Sequence, residues 1–280
     1  MVTIRTMSRP EVDLAITWAA EEGWNPGLAD ADAFWAADPE GFLIAVQDGT
    51  PLGCISAVRY GPDFGFIGLY LVRPEYRGRG VGIALWRTAM ERLAGRNVGL
   101  DGVVAQQANY RRSGFSLAHR NIRFGLSGGD RPSAVPGVAL SPAAACPPET
   151  IVALDRRCFP APREAFLRKW LALPGHVALA ALVDGTAVGY GVIRPCLEGA
   201  KVGPLVARDD QIAAALLAGL VAAAPSGPVF LDVPEPNDAA LALARRVGMA
   251  PVFETARMYT GHTPDLVLSN VFGITTFELG

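Results

Sequence analysis

The fold of this chain is decided by the stretch Leu69-Tyr70-Leu71-Val72-Arg73-Pro74-Glu75-Tyr76-Arg77-Gly78-Arg79-Gly80-Val81-Gly82. An apolar run ends at Val72, Pro74 removes a backbone donor, and glycines then alternate with other residues up to an apolar pattern of helical period. Because glycine has no Cβ, the backbone N–H groups of such a loop can converge on one ligand. The stretch therefore predicts a strand, a glycine-rich loop and a helix.

The loop and the helix that follows it are typical of an anion site. The positive end of the helix dipole lies beside the loop N–H groups, and Arg77 and Arg79 add fixed charge. This combination suits a pyrophosphate; the alternative is a glycine-rich turn with two solvated arginines. The sequence has no GxxxxGK[ST], and the spacing is not GxGxxG at the start of a parallel unit. The pattern therefore favours neither a Walker-type NTPase nor a nicotinamide dinucleotide fold.

Several motifs occur twice along the chain in the same order, separated by a nearly constant number of residues. The pairs are Asp48–Gly53 with Asp184–Gly189, Leu100-Asp101 with Leu231-Asp232, Gly114-Phe115 with Gly248-Met249, and Arg123 with Arg257. Such a repeat indicates two copies of one domain. We therefore predict domains at 1–126 and 149–280, joined by a linker at 127–148 that is rich in Gly, Pro, Ser and Ala.

The same coarse pattern of elements is predicted in both copies. Each has two helices, a hairpin at Asp-Gly, a third strand, a helix, a strand, a short helix and a last strand. Val138–Leu140 is a candidate opening strand of the second copy. The predicted fold class is α/β (a mixed α+β sheet): in each domain a mainly antiparallel twisted sheet, which turns parallel later, is flanked by helices.

Composition limits the class of protein. A chain of 280 residues that is 50% hydrophobic, with a mean hydropathy of +0.25, can form a sizeable core in two domains. With 25 basic and 27 acidic residues there is no basic stripe for a phosphate backbone, so no nucleic-acid partner is expected. Four cysteines without CxxC spacing and three histidines predict no metal site and a reducing compartment.

The hydrophobic runs are short. The longest, Ile212–Ala224, has 13 residues and ends at Pro225, whereas a membrane span needs about 18–20. The first residues carry no apolar core of the kind that a secretory signal has. We therefore expect a soluble, cytoplasmic protein with no membrane partner, present as a monomer or homodimer.

The glycine loop and a later motif together resemble a known superfamily. Val72–Gly82 (V-R-P-E-Y-R-G-R-G-V-G), followed by a helix, a strand and Y-x-x-x-G-F at Tyr110–Phe115, is similar to the GNAT superfamily of acyl-CoA-dependent N-acyltransferases. Its R/Q-x-x-G-x-G/A signature falls on Arg77, Gly80 and Gly82. The whole chain further resembles tandem-GNAT proteins, in which a divergent GNAT-like copy follows the first. The resemblance implies a catalytic domain at 1–126 and a degenerate one at 149–280.

The resemblance implies acetyl-CoA as co-substrate and assigns residues to it. The loop residues would hold its pyrophosphate, and the strand ending at Leu71 and Val72 would pair with its pantetheine arm. The N–H of Val72 would polarise the thioester carbonyl. The loop residues concerned are Arg77, Gly78, Arg79, Gly80, Val81 and Gly82.

Tyr110 is the residue to which the resemblance assigns protonation of the departing thiolate, and a phenol is chemically suited to that step. The alternative is a tyrosine that packs a helix against the sheet. The general base is less obvious, because Phe64–Val72 contains no Glu or Asp, although many family members carry a carboxylate on this strand. Asp101 on the neighbouring strand is the candidate catalytic and substrate-binding carboxylate, as a Coulomb partner of an ammonium group. The alternatives are a turn-capping role for Asp101 and proton removal through ordered water.

The acceptor is expected at the loop between the first two helices, which lines the acceptor pocket in the family. Trp24 offers an apolar wall and Asn25 a hydrogen bond, so both are predicted to bind the substrate; the alternative is an ordinary loop anchor. We expect a small-molecule primary amine that attacks acetyl-CoA directly in a ternary complex. The alternatives are a non-catalytic CoA sensor or scaffold, a protein N-acetyltransferase, and a hydrolase that uses Asp101.

The second copy lacks the groups that would carry the chemistry. Ala244 aligns with Tyr110, and Ala207–Ile212, which contains two carboxylates and no glycine, aligns with the anion loop. Negative charge there would repel a phosphate. The second copy is therefore predicted to be non-catalytic and to serve packing or to wall the pocket; the alternative is a different ligand.

Overall fold

The structure is a computed structural model that describes residues 1–128 and 131–280. Gly129 and Asp130, which belong to the predicted linker, lie outside the described residues. Helices and strands alternate in the same order in the two halves of the chain, as the repeat predicts.

The first half contains six strands and four α-helices. The strands are β1 Thr3–Thr6, β2 Phe42–Gln47, β3 Thr50–Tyr60, β4 Phe64–Val72, β5 Asn97–Val103 and β6 Ser116–Leu126. The helices are α1 Arg9–Glu21, α2 Asp30–Ala37, α3 Val81–Arg92 and α4 Gln107–Arg112.

In the described part of the second half, seven strands and four α-helices follow. The strands are β7 Ala139–Pro142, β8 Val177–Val183, β9 Thr186–Pro195, β10 Ala200–Ala207, β11 Val229–Pro234, β12 Ala250–Tyr259 and β13 Val271–Gly273. The helices are α5 Pro148–Arg156, α6 Glu164–Leu171, α7 Asp210–Ala223 and α8 Asp238–Arg246. The predicted opening strand of the second copy is confirmed as β7, whereas β1 and β13 were not predicted.

All the described strands belong to one continuous mixed sheet. Its order is β1-β2-β3-β4-β5-β12-β6-β11-β10-β9-β8-β7, and β13 pairs with β10 beside this path. Only β4–β5 and β10–β11 are parallel among the described pairs. The predicted fold class, a mainly antiparallel sheet that turns parallel later and carries helices, is confirmed.

The strands β6 and β12, which occupy equivalent positions in the two copies, have exchanged places. β12, from the second half, lies between β5 and β6 and pairs with both. β6, from the first half, pairs in turn with β11. Each repeat therefore completes the sheet of the other, and the two halves share one hydrogen-bonded sheet.

Local backbone preference explains where the two hairpins turn. Asp48 and Gly49 have φ of 50° and 77°, and the corresponding Asp184 and Gly185 have 49° and 75°. Positive φ at both central residues matches the right-handed twist of the flanking strands and favours Asp-Gly. The hairpin motif of the repeat is thus confirmed in both copies.

The helices pack on the sheet through buried apolar faces. α7 is buried on most sides, because its buried residues include consecutive positions: Ile212, Ala213, Ala215, Leu216, Leu217, Ala218, Leu220 and Val221. This helix is the longest apolar run of the sequence, and it is too short to cross a bilayer. Within the described residues, no helix combines the length and apolar character of a membrane span.

Candidate active site

The site lies where two parallel strands diverge. β4 and β5 pair only from Phe64–Ile67 with Asn97–Leu100, and beyond that point Gly68–Val72 has no strand partner on this edge within the described chain. On the other edge the β3–β4 register shifts between Cys54 and Ser56, and Leu69 adopts a φ of 44°. Such a bulge bends a strand locally. The divergence opens a cavity of about 1210 Å³.

The glycine loop ends at this cavity and begins α3. Gly78 and Gly80 have φ of 74° and 82°, which L-residues adopt only with strain. Gly80 is the N-cap of α3, and its lack of a side chain leaves the first turn without a side-chain cap. In the described structure, no acceptor contacts the N–H groups from Gly78 to Ile83. Unpaired donors at a helix N-terminus are the arrangement that binds phosphate.

Gly82 is required for a different reason. A Cβ at Gly82 would lie 2.9 Å from the hydroxyl of Tyr70 and 3.4 Å from a methyl carbon of Val72. The absence of a side chain therefore lets α3 approach β4 closely, with Tyr70 between them. Burial raises the pKa of the Tyr70 phenol, which lines the cavity and was not predicted as a site residue.

The two predicted loop arginines differ in what they contact. The Arg77 guanidinium donates to the carbonyl of Val72 at 2.8 Å and forms an ion pair with Glu22 at the end of α1. Arg79 lies over the ring of Tyr76, with 5.6 Å between the guanidinium carbon and the ring centroid, and is exposed. Arg77 therefore links the loop to β4 and to the end of α1, whereas Arg79 lies at the surface.

Tyr110, on α4, lines the cavity. Its ring packs against Trp86 with centroids 5.6 Å apart, and a Cβ at Gly102 would overlap it. Burial, and to a smaller extent Tyr70, raises the pKa of Tyr110 to about 12. The phenol therefore keeps its proton at neutral pH, as a proton donor must.

Asp101 does not present a free carboxylate to the cavity. Arg257 donates to its two oxygens at 2.9 and 2.6 Å, and the Asn121 amide donates at 2.7 Å. The Asp101 side chain is 0% exposed. The carboxylate predicted to pair with an ammonium substrate is thus already paired within the protein, in a contact between β5 and β12. This geometry favours a structural role for Asp101 over the predicted catalytic one.

The Asp101–Arg257 ion pair has an equivalent at the corresponding positions of the repeat. Arg123 of β6 donates to Asp232 of β11 at 2.6 and 2.8 Å, and both side chains are buried. In each pair the aspartate of one copy binds the arginine of the other copy's exchanged strand. The repeated Asp and Arg residues of the sequence therefore form the ion pairs that join each exchanged strand to its neighbour.

Trp24 and Asn25 both line the cavity, but each is also bound to the second half. The Trp24 carbonyl accepts hydrogen bonds from Arg123 and Lys201 at 3.2 and 3.5 Å. The Asn25 amide exchanges two hydrogen bonds with the backbone of Glu198, at 2.9 and 3.0 Å. The indole wall predicted at Trp24 is available, whereas the Asn25 amide is occupied.

The second half supplies a large part of the cavity wall, which is one of the two roles predicted for it, although no individual wall residue from this half was predicted. Phe253 and Phe277 lie with centroids 6.1 Å apart, and Arg123 lies over both rings. The other wall residues from this half are Glu198, Pro228, Phe230, Val252, Thr255 and Glu278. No motif marks these residues, because they reach the site only through the strand exchange.

Two family models match the two halves of the chain. The one described as "Acetyltransferase (GNAT) family" matches residues 10–115, and the one described as "Acetyltransferase (GNAT) domain" matches residues 151–273. Together the two matches span most of the chain. The chain belongs to the GNAT superfamily. It is a tandem GNAT acyltransferase, as the glycine loop and the repeat predict.

Similar proteins agree with this assignment along the whole chain. A holothin acyltransferase from Pseudoalteromonas sp. (strain SANK 73390) is 29% identical, and the match covers 99% of this chain and 94% of that protein. A solved chain from Pyrococcus horikoshii is 22% identical with a TM-score of 0.84, over 100% of this chain and 96% of that one. A tandem GNAT protein from the clavulanic acid biosynthesis pathway is 17% identical with a TM-score of 0.68, covering 94% and 100%. The two solved structures support the tandem fold.

The second GNAT domain has no open equivalent of the cavity in its described residues. β10 and β11 pair over Ala200–Val202 and Val229–Leu231 and would then diverge like β4 and β5. β13 fills that position: it pairs with β10 and is followed by the Ile274 N–H, which donates to the Asp232 carbonyl at 2.9 Å. The cleft of the second domain is thus closed by the chain itself.

In the second GNAT domain, a carboxylate caps the helix that corresponds to α3. Asp209 caps α7 by accepting from the Ile212 N–H at 2.9 Å. Ala244 stands where the first domain has Tyr110, because Met249 N donates to the Ala244 carbonyl as Phe115 N donates to that of Tyr110. The acidic start of α7 therefore lies at the position of the glycine loop, and Ala244 lies at the position of Tyr110.

Proposed function

We propose that this tandem GNAT protein transfers an acetyl group from acetyl-CoA to a primary amine of a small molecule, with both reactants bound in its first domain. The observation that carries the proposal is the row of unpaired N–H groups from Gly78 to Ile83 at the mouth of the cavity. These donors suit a pyrophosphate. Members of the family use acetyl-CoA and act on small-molecule or amine substrates. The unpaired N–H groups would bind the pyrophosphate of such a donor.

The strand beside the loop supports binding of an extended ligand arm. Gly68–Val72 leaves one edge free, so an amide-bearing chain can add to it by backbone hydrogen bonds. Leu71 and Val72 would hold the pantetheine, and the Val72 N–H would polarise the carbonyl of the acyl group. Positioning both reactants in one cavity supplies much of the rate enhancement.

Tyr110 would donate a proton to the sulfur that leaves. Its raised pKa keeps the phenol neutral, and Tyr110 is one of the residues that line the cavity. The acceptor would lie between Trp24 and the aromatic pair Phe253 and Phe277, which favours an amine with an apolar body. The cavity of about 1210 Å³ exceeds the roughly 300–1,000 Å³ of typical small-molecule pockets, in keeping with a site for two reactants.

The proposed division of labour follows the predicted domains. Residues 1–126 would bind the acyl donor, 127–148 would connect the domains, and 149–280 would wall the acceptor site without binding a donor. The closed cleft and the Asp209 cap support the last point.

The test is a screen of amines with acetyl-CoA, following release of free thiol, with holothin included because a relative's name contains it. We expect thiol release that needs both acetyl-CoA and one class of amine. Tight CoA binding, measured by calorimetry, without turnover of any amine would instead indicate a CoA sensor. Product formation in CoA-free buffer would indicate a hydrolase. Either result would overturn the proposal.

A further inference from the structure

The segment 275–280 of the second domain crosses into the first domain and is fixed there by several contacts. The hydroxyl of Tyr60 donates to the Leu279 carbonyl at 3.2 Å, and Arg163 donates to a Gly280 oxygen at 3.1 Å. The Leu279 N–H donates to the Thr276 hydroxyl at 2.9 Å. The backbone of this segment is therefore held in one conformation beside the first domain's sheet.

The segment meets β4 at the point where β4 leaves β5. A Cβ at Gly68 would overlap the backbone of Glu278, so only glycine allows this approach. Gly68 is the first residue of β4 beyond its pairing with β5. The strand that lacks an acidic residue of its own thus receives Glu278 at the base of the cavity.

Among the described residues, four acidic side chains line the cavity, and Glu278 differs from the other three. Glu22 is paired with Arg77, Asp101 is paired with Arg257, and Glu198 is exposed at the rim. Glu278 is 4% exposed, and in the described residues its carboxylate makes no hydrogen bond or ion pair. It is therefore the buried carboxylate of this cavity that has no protein partner.

The charges around Glu278 come from three neighbouring strands. Arg123 of β6 and Lys201 of β10 are both buried, and Asp232 of β11 holds Arg123. The negative charge of Glu278 acts to raise the pKa of Arg123 and Lys201, so the carboxylate lies within range of both cations. Lys201 donates to the Trp24 carbonyl at 3.5 Å. The carboxylate therefore has two buried cations near it on the protein side, and its residue lines the cavity on the other side.

We propose that Glu278 of the second domain is a catalytic residue of the first domain's active site and takes the proton of the acceptor's ammonium group. The inference rests on the proposed function. It gives the second GNAT domain a direct part in the reaction, although its own cleft is closed. It also supplies the carboxylate that β4 lacks and that Asp101, held by Arg257, cannot supply.

In the proposed step one bond forms, one bond breaks and the amine nitrogen loses two protons. Glu278 removes one proton from the ammonium group, and the nitrogen lone pair attacks the thioester carbonyl. The C–N bond forms, the C–S bond breaks, and the electron pair of that bond goes to sulfur. Tyr110 gives its proton to the sulfur. The nitrogen, now bonded to the acetyl carbon, loses a second proton to solvent, and Tyr110 regains a proton from solvent. Glu278 then returns its proton to solvent.

The test compares Glu278→Gln, which keeps the shape and removes the charge, with Glu278→Asp and with Glu149→Gln, an exposed position of the same domain. At pH 7 we expect kcat of Glu278→Gln to fall by about 10²-fold or more, the range of general base catalysis. The loss should shrink tenfold per pH unit toward the pKa of the amine, because a neutral amine needs no base. Glu278→Asp should regain part of the rate, and Glu149→Gln should match the unsubstituted protein.

A second readout is independent of turnover. Binding of the amine to the protein loaded with CoA, measured by calorimetry, should weaken for Glu278→Gln, while CoA affinity and melting temperature stay unchanged. Equal kcat for Glu278→Gln and the unsubstituted protein would overturn the inference. A loss of CoA affinity in parallel with kcat would also overturn it, because it would indicate a structural role. Absence of turnover in the unsubstituted protein would instead count against the proposed function.

Discussion

At the residue scale, the proton on Tyr110 depends on how its ring is packed. The ring lies between Trp86 and the backbone at Gly102, away from bulk water, and this burial raises the phenol pKa to about 12. A phenol that stays protonated at pH 7 can donate to a developing thiolate throughout the neutral range.

Replacing Tyr110 with Phe should therefore separate chemistry from binding. We expect kcat to fall by about 10²–10⁴-fold, the range of a lost general acid, while the KM for acetyl-CoA changes little. The measurement is steady-state thiol release with acetyl-CoA varied at saturating amine. Unchanged kcat would show that the tyrosine only packs α4 against the sheet.

Two buried histidines predict how stability depends on pH. Burial first, and Arg257 next, lowers the pKa of His119 to about 4; burial first, and Arg194 next, lowers that of His176 to about 4. Their pKa values in the unfolded chain are about 6.5, so the unfolded state binds more protons between pH 4 and 6.5. The stability that these groups contribute is present above pH 6.5 and is lost as the pH falls toward 4.

We therefore expect the free energy of unfolding to decrease by about 2–3 kcal/mol for His119 between pH 7 and 4.5. Urea unfolding at the two pH values measures the change. The double variant His119→Gln and His176→Gln should show a smaller difference between the two pH values. An equal difference in the variant would mean that other groups dominate this pH range.

At the element scale, the difference between the two domains lies in how one helix begins. α3 begins at Gly80 without a side-chain cap, whereas α7 begins at Asp209, whose carboxylate accepts from its own first turn. A free helix N-terminus attracts an anion, whereas a carboxylate at the N-cap satisfies one of the donors and places negative charge where the anion would bind. One N-cap residue thus distinguishes a candidate phosphate site from a closed helix end.

Gly80→Ala and Gly95→Ala form a matched pair that tests the loop. Both glycines have a φ near 80°, and neither would meet another atom within 4 Å of an added Cβ. Each substitution should cost about 1–2 kcal/mol of stability through backbone strain. Only Gly80→Ala should also weaken acetyl-CoA binding, by tenfold or more in calorimetry. Equal CoA affinity in the two variants would contradict the loop assignment.

At the scale of the whole molecule, the strand exchange makes the two GNAT domains dependent on each other. β12 occupies the place beside β5, and β6 lies beside β11. The buried pairs Asp101–Arg257 and Arg123–Asp232 fix both exchanged strands. Breaking a buried ion pair by removing one partner costs about 3–5 kcal/mol, because the other charge stays buried.

Asp232→Asn should accordingly lower the stability of the entire chain. We expect a loss of about 3–5 kcal/mol in a single unfolding transition, detected alike by circular dichroism and tryptophan fluorescence. Asp210→Asn, at an exposed position, is the control. Two separate transitions, with only the second domain destabilised, would contradict the coupling of the two halves.

The sequence by itself determined the local features of this protein. The Asp-Gly hairpins, the glycine loop before α3, Tyr110 in its Y-x-x-x-G-F motif and the order of the elements all follow from backbone preferences and spacing within a few residues. Similarity between the two halves then gave the tandem arrangement. These features could be predicted because each depends on neighbours along the chain.

Only the tertiary structure decided which residues meet. Asp101 is held by Arg257, 156 residues away, and Tyr60 binds the Leu279 backbone across 219 residues. Strand pairing depends on main-chain donors and acceptors that all residues except proline carry in full, so the sequence pattern does not reveal that β6 and β12 exchange. For the same reason the position of Glu278 follows from the path of β12 and β13, and no local motif indicates it.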